Sequence, residues 1–189
     1  MKKNGIVFWY YIIEQLKNNY KALFEHILFY AKINDLSRLK MICNDNDSFG
    51  KYIKRLLLRN HVFYRCFAGK NKISITARGE IFPCDSFCNN SEFCLGSIYS
   101  LDINTDEQRN FEHAHVYNRN SCRDCWCATI CGGDCYYNSY IKNGDILTPD
   151  QFFCTMTKFF IENAIKMLLE LQTLDSNNIK YLSQFFRIL

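Results

Sequence analysis

An α+β domain, with helices at both ends and a small β-hairpin among cysteine-rich loops, is what this sequence predicts. Three observations carry the prediction. Apolar residues recur at three- and four-residue steps near both termini, the mark of amphipathic helices. In the middle, the alternating run Ile73-Ser74-Ile75-Thr76-Ala77 is followed by Arg78-Gly79 and a second run, Glu80-Ile81-Phe82, which reads as a hairpin. Nine of the eleven cysteines lie between Cys66 and Cys135. The texture therefore divides the chain into a helical segment 1–60, a cysteine-rich segment 61–156 and C-terminal helices 157–189.

Each element has its own signal. Ile12, Ile13, Leu16, Tyr20, Leu23, Phe24, Ile27 and Leu28 form one apolar stripe of a first helix. A second helix is expected from Asp35 to Ile42, ahead of the polar break at residues 44–48, and a third from Phe49 to Leu58. The third carries Lys51, Lys54 and Arg55, with Arg59 just beyond it, read as a solvated flank rather than a nucleic-acid face. Cys43 has no close cysteine partner and reads as a bystander. In the hairpin, Cys66 precedes the first strand and Cys84 follows the second, so folding brings both to the same open end. From Asp150 onward Phe153, Met156, Phe159, Phe160, Ile165, Leu168 and Leu169 form another stripe, and Tyr181–Leu189 reads as a last short helix.

Composition narrows the function classes. Hydrophobic residues at 48% and charged residues at 22% are ordinary for a folded domain and exclude wholesale disorder. A dispersed net charge of +4 argues against nucleic acid as a partner. The apolar run Ile6–Ile13 is too short to cross a bilayer, and Glu14, Gln15 and Lys17 stand where a signal peptide would have small residues, so no membrane is expected. An odd number of cysteines leaves a thiol over in any full disulfide framework. A reducing cytoplasm, with the cysteines kept as thiolates for metal, fits better.

The densest stretch is Cys122-x2-Cys125-x-Cys127-x3-Cys131-Gly-Gly-Asp-Cys135. Thiolates at these separations reach a small soft-metal centre without straining the chain. Gly132 and Gly133 remove side chains beside it and let backbone N–H groups approach sulfur. Zinc could take Cys122, Cys125, Cys131 and Cys135 as one tetrahedral knuckle, whereas iron–sulfur clusters draw four cysteines each from more scattered positions. Spacing leaves both open, and with zinc the chain would be an interaction module without redox chemistry.

The whole series goes further. Cys66-x12-Gly79-x4-Cys84, then Cys122-x2-Cys125-x5-Cys131-x3-Cys135, then Cys154, resembles the SPASM domain, the C-terminal extension of many radical S-adenosylmethionine enzymes that modify peptides and proteins. Cys66-Phe-Ala-Gly69, Gly79-Glu-Ile-Phe-Pro-Cys84 and Leu95-Gly-Ser-Ile98 are similar to that family as well. The resemblance implies two auxiliary [4Fe-4S] clusters. One would take Cys122, Cys125, Cys131 and Cys154, and the other Cys66, Cys84 and Cys135. Many members carry a further cysteine about six residues before the first; here Asn60 falls there, so the hairpin cluster has an open iron or recruits Cys88, Cys94 or Cys127. The chain lacks the Cys-x3-Cys-x2-Cys motif that binds S-adenosylmethionine in these enzymes, so it is not expected to bind that cofactor or to generate a radical alone. The partners implied are a radical S-adenosylmethionine core enzyme and a peptide or protein substrate. His113 and His115 are read as solvent-exposed, and no nucleophile–base arrangement is legible.

Overall fold

The periodic stripes become helices and the alternating runs become strands in a computed structural model that describes residues 2–41, 47–100 and 103–186. In chain order the elements are α1 (Lys2–Lys32), a 3-10 helix (Leu36–Met41), α2 (Gly50–Leu57), β1 (Ser74–Ile75), β2 (Glu80–Phe82), two short 3-10 turns (Asp85–Phe87 and Ser91–Phe93), β3 (Gly96–Ser97), α3 (Thr105–His113), α4 (Ala128–Cys131), α5 (Tyr136–Asn143), α6 (Gln151–Leu174) and α7 (Ser176–Phe185). The architecture is α+β. Among the described residues no helix is long and apolar enough to cross a membrane. Cys43 lies outside the described residues.

The chain separates into two compact units, Met1–Asn60 with Thr155–Leu189, and His61–Cys154. The first is a helical unit around an aromatic stack. Phe24 of α1 lies against Phe49 at 4.3 Å between ring centroids and 6.4 Å from Phe159 of α6, and Tyr20 meets Phe160 edge-on at 4.8 Å. Among residues 11–32 of α1 the buried side chains are Phe24, Ile27 and Ala31, at the three- and four-residue spacing that places them on one face. On α6 the buried set is Met156, Phe159, Phe160, Ile161, Ala164, Met167 and Leu171, while Leu169, assigned to the stripe from sequence, is exposed.

Two helix boundaries differ from expectation for local reasons. Asn34 adopts a left-handed conformation at φ +63°, and Asp35 N–H donates back to the Tyr30 carbonyl at 2.9 Å, which closes α1. The Asp35 carboxylate then accepts from Ser37 N–H, so the expected helix 35–42 is a single 3-10 stretch over Leu36–Met41. The last helix begins earlier than Tyr181, at Ser176, because the Asp175 side chain caps it through Asn177 N–H at 2.8 Å. Residues 187–189 lie outside the described part.

The second unit holds the sheet and the cysteines. β1 and β2 form the expected hairpin, Ser74 opposite Phe82 and Ile75 opposite Ile81, and β3 adds antiparallel to the other edge of β2. Gly79 takes the left-handed position of the turn at φ +81°, where a Cβ would stand 2.5 Å from the Tyr99 ring. Behind the sheet, Phe82, Phe87, Phe93, Phe111 and Tyr136 form one aromatic core, with Phe87 in ring contact with both Phe93 and Phe111.

Removing the ring at the centre of the helical stack should be costly. Phe24→Ala is expected to lower stability by about 3–5 kcal/mol, the usual range for deleting a buried Phe. The urea midpoint of the far-ultraviolet helical signal measures it; an unchanged midpoint would show that the stack does not organise this unit.

Candidate metal centre

None of the ten described cysteines is in a disulfide, and they fall in separate stretches of the fold. Around Cys66 the backbone turns sharply: the Phe67 carbonyl accepts from the N–H groups of Lys70, Asn71 and Lys72, and Gly69 N–H donates to the Pro83 carbonyl at 3.1 Å. That last bond fastens the loop after Cys66 to the residue before Cys84, at the open end of the hairpin. Burial pushes the Cys66 thiol above its usual range; a hydrogen bond from Ala68 N–H opposes this, and the neighbouring Cys135 and Cys84 sulfurs raise it further. Cys84 and Cys135 are therefore both within electrostatic reach of Cys66. Cys66 and Cys84 rest on the aromatic core, and so do Cys88 and Cys94.

The dense motif makes the second group. Successive tight turns fold it: Cys122 N–H donates to Arg119 O, Cys125 N–H to Cys122 O, Ala128 N–H to Cys125 O, and Cys131 N–H to Cys127 O at 2.8 Å. Gly132 and Gly133 follow, both left-handed, and a Cβ on Gly132 would stand 2.9 Å from the Tyr64 carbonyl oxygen. Burial raises the Cys122 thiol, the Arg119 charge opposes it, and Cys131, Cys125 and Asp134 raise it further. Cys125 and Cys131 are thus both within electrostatic reach of Cys122. Cys122 packs with Val116 and Ala128, and Cys125 borders that patch.

Among the described residues no three His, Cys, Asp or Glu side chains converge closely enough for a single metal ion, and Cys135 neighbours Cys66. A cubane asks for less convergence, since each thiolate holds a different corner, and an all-thiol donor set beside apolar side chains suits it.

The remaining candidates separate too. Cys127 is buried beside Cys125, with 3.6 Å between sulfurs, and so belongs to the side of the dense motif. Cys88 lies over the Cys84 carbonyl at 3.9 Å, and Cys94 donates to the Gly96 carbonyl at 3.4 Å. Cys154 stands one turn into α6, its N–H on the Asp150 carbonyl at 3.0 Å. His113 is exposed and lines a cavity of about 440 Å³ whose walls contain no cysteine. His115 is half-buried rather than exposed: its Nε2 meets the Asn118 side chain at 3.1 Å, while Nδ1 is buried without a partner.

Sequence reasoning passed over two buried charged residues, Asp134 and Arg119, each 1% exposed. Asp134 Oδ1 accepts from Cys135 N–H at 2.7 Å, and Oδ2 accepts from the Asn138 side chain and from Asp150 N–H. It ties Cys135 to the start of the helix that carries Cys154. A charged residue wedged between two cysteines was the available signal. Arg119 had none.

Against known families, residues 66–126 match SPASM, an iron-sulfur cluster-binding domain. The match assigns iron–sulfur cluster binding to this stretch, which holds Cys66, Cys84, Cys88, Cys94, Cys122 and Cys125. Cys131, Cys135 and Cys154 lie beyond its end. No curated protein matches the chain.

The raised thiols set a pH dependence for the metal-free protein. A thiol held above its unfolded value stabilises the fold while protonated, fully below the ordinary thiol range near pH 8.5, and that contribution is lost as pH rises through the folded value. The urea midpoint of the metal-free protein should therefore fall between about pH 8 and pH 10. A midpoint that climbs over that interval would contradict buried, protonated Cys66 and Cys122.

Proposed function

We propose that this chain carries two auxiliary [4Fe-4S] clusters in support of radical S-adenosylmethionine-dependent maturation of a peptide or protein. In this reading Cys122, Cys125, Cys131 and Cys154 hold one cluster, and Cys66, Cys84 and Cys135 hold the other. The observation that supports it most is the sorting of the thiols. Cys131 and Cys135 are only four residues apart, yet Cys131 is within electrostatic reach of Cys122 while Cys135 is within reach of Cys66. The turn of Gly132 and Gly133 between them lets adjacent residues face different centres. Such clusters supply one-electron transfer, or a Lewis-acidic iron where a thiolate is missing.

The radical S-adenosylmethionine core would be another chain or another part of the same polypeptide, and its peptide or protein substrate the second partner. The compartment in this reading is the cytoplasm, where thiolates stay reduced. Within the hairpin group, Cys88 and Cys94 share the aromatic core with Cys66 and Cys84, so either is better placed than Cys127 to close the open iron. If neither does, that iron faces the substrate.

Anaerobically purified or reconstituted protein should contain about eight iron atoms per chain with matching sulfide. Cys131→Ser should abolish one electron paramagnetic resonance signal and Cys135→Ser the other. Stoichiometric zinc without labile sulfide, or loss of the same single signal in both variants, would overturn the two-cluster reading in favour of one knuckle. Loss of the hairpin signal in Cys88→Ala or Cys94→Ala alone would identify the fourth ligand and remove the open site.

A further inference from the structure

Arg119 is a buried cation without a carboxylate among its hydrogen-bond partners. Nη1 donates to the Asp134 main-chain carbonyl and Nη2 to Ser139 Oγ at 2.7 Å, both neutral oxygens. Nε is buried and has no hydrogen-bond partner. The guanidinium lies over the Tyr136 ring at 5.1 Å, and Gly133 leaves room for it, since a Cβ there would stand 2.8 Å from Nη1. A desolvated charge with one open donor is expensive unless something negative stands nearby. The Asp134 carboxylate is already occupied by three other donors. Cys122 follows Arg119 by one turn, its N–H donating to the Arg119 carbonyl at 3.2 Å, and its thiol is within electrostatic reach of the Arg119 charge.

We propose that Arg119 is the positioning residue of the Cys122–Cys125–Cys131 centre, its buried guanidinium compensating an anionic sulfur cluster and its open Nε–H donating to thiolate or sulfide there. The inference rests on the cluster reading above. A four-thiolate cubane is a net anion and gains one more negative charge when it takes up an electron. A fixed neighbouring cation favours the reduced form, so removing it lowers the reduction potential. Lys at this position keeps the charge and loses the forked donors.

The test is an anaerobic redox titration with dithionite, followed by electron paramagnetic resonance, on the reconstituted chain. Arg119→Gln should shift the potential of the Cys122 cluster downward, more than that of the Cys66 cluster, and Arg119→Lys should restore most of the shift. Full iron content in Arg119→Gln with both potentials unchanged would overturn the role of Arg119 and leave the cluster reading intact. Wild-type protein that takes up no iron–sulfur cluster would overturn both. Should Arg119→Gln fail to fold, the unmodified protein still decides the matter. With arginine labelled in ¹⁵N, pulsed resonance on the reduced Cys122 cluster should detect nitrogen coupling that Arg119→Lys abolishes. Its absence in the wild type would refute the contact.

Discussion

The Asp134 carboxylate is the interaction on which the cysteine-rich unit depends. Its two oxygens collect donors from Cys135, Asn138 and Asp150, and its main-chain carbonyl takes a fourth from Arg119. The turn at Arg119, the start of α5 and the residue before α6 are thereby fixed to one residue. Hydrogen bonds to a buried charge are worth more than neutral ones, about 1.5–3 kcal/mol each, and leaving such a charge unsatisfied costs at least as much. The carboxylate therefore holds the dense motif against the start of α6, so that Cys135 and Cys154 are set by one anchor although 19 residues separate them.

What the sequence made legible follows from range. The apolar stripes of α1 and α6 and the alternation around Gly79 are local patterns with a fixed period, and these elements stand where they were expected. α3 buries Phe111 alone, so no stripe announces it; Asn104, whose side chain accepts from Glu107 N–H at 3.1 Å, was its one visible signal. α5 ends at Gly144, left-handed at φ +81°, a stop signal after Lys142-Asn143 that was available and unused. β3 has two residues and exists because Leu95 N–H reaches the Ile81 carbonyl, a contact no local pattern encodes.

The site was legible in its ligands and not in its support. Cysteine spacing pointed to the residues because chain length limits what neighbouring thiolates can reach. Arg119 was invisible because its role is wholly tertiary: Ser139 and Tyr136 meet it only after α5 has folded across the motif. His115 misled for the same reason, since its burial comes from packing beside Tyr64 and Tyr117 rather than from its polar neighbours in sequence.

The two thiol groups also rest on unequal foundations. Cys66 and Cys84 lie on a core of Phe82, Phe87, Phe93, Phe111 and Tyr136, whose ring contacts alone bury enough apolar surface to organise that end of the unit. Cys122 and Cys125 pack with Val116 and Ala128 in a smaller patch, tied by turn hydrogen bonds. Metal binding becomes folding free energy where the protein supplies little of its own. The dense motif therefore draws more of its order from whatever it binds than the hairpin end does. Arg119 stands at the head of that motif, 1% exposed, with its guanidinium over the Tyr136 ring. Clustered thiols and a buried cation whose Nε has no partner set residues 116–135 apart from the hairpin end, where Cys66 and Cys84 lie on aromatic rings.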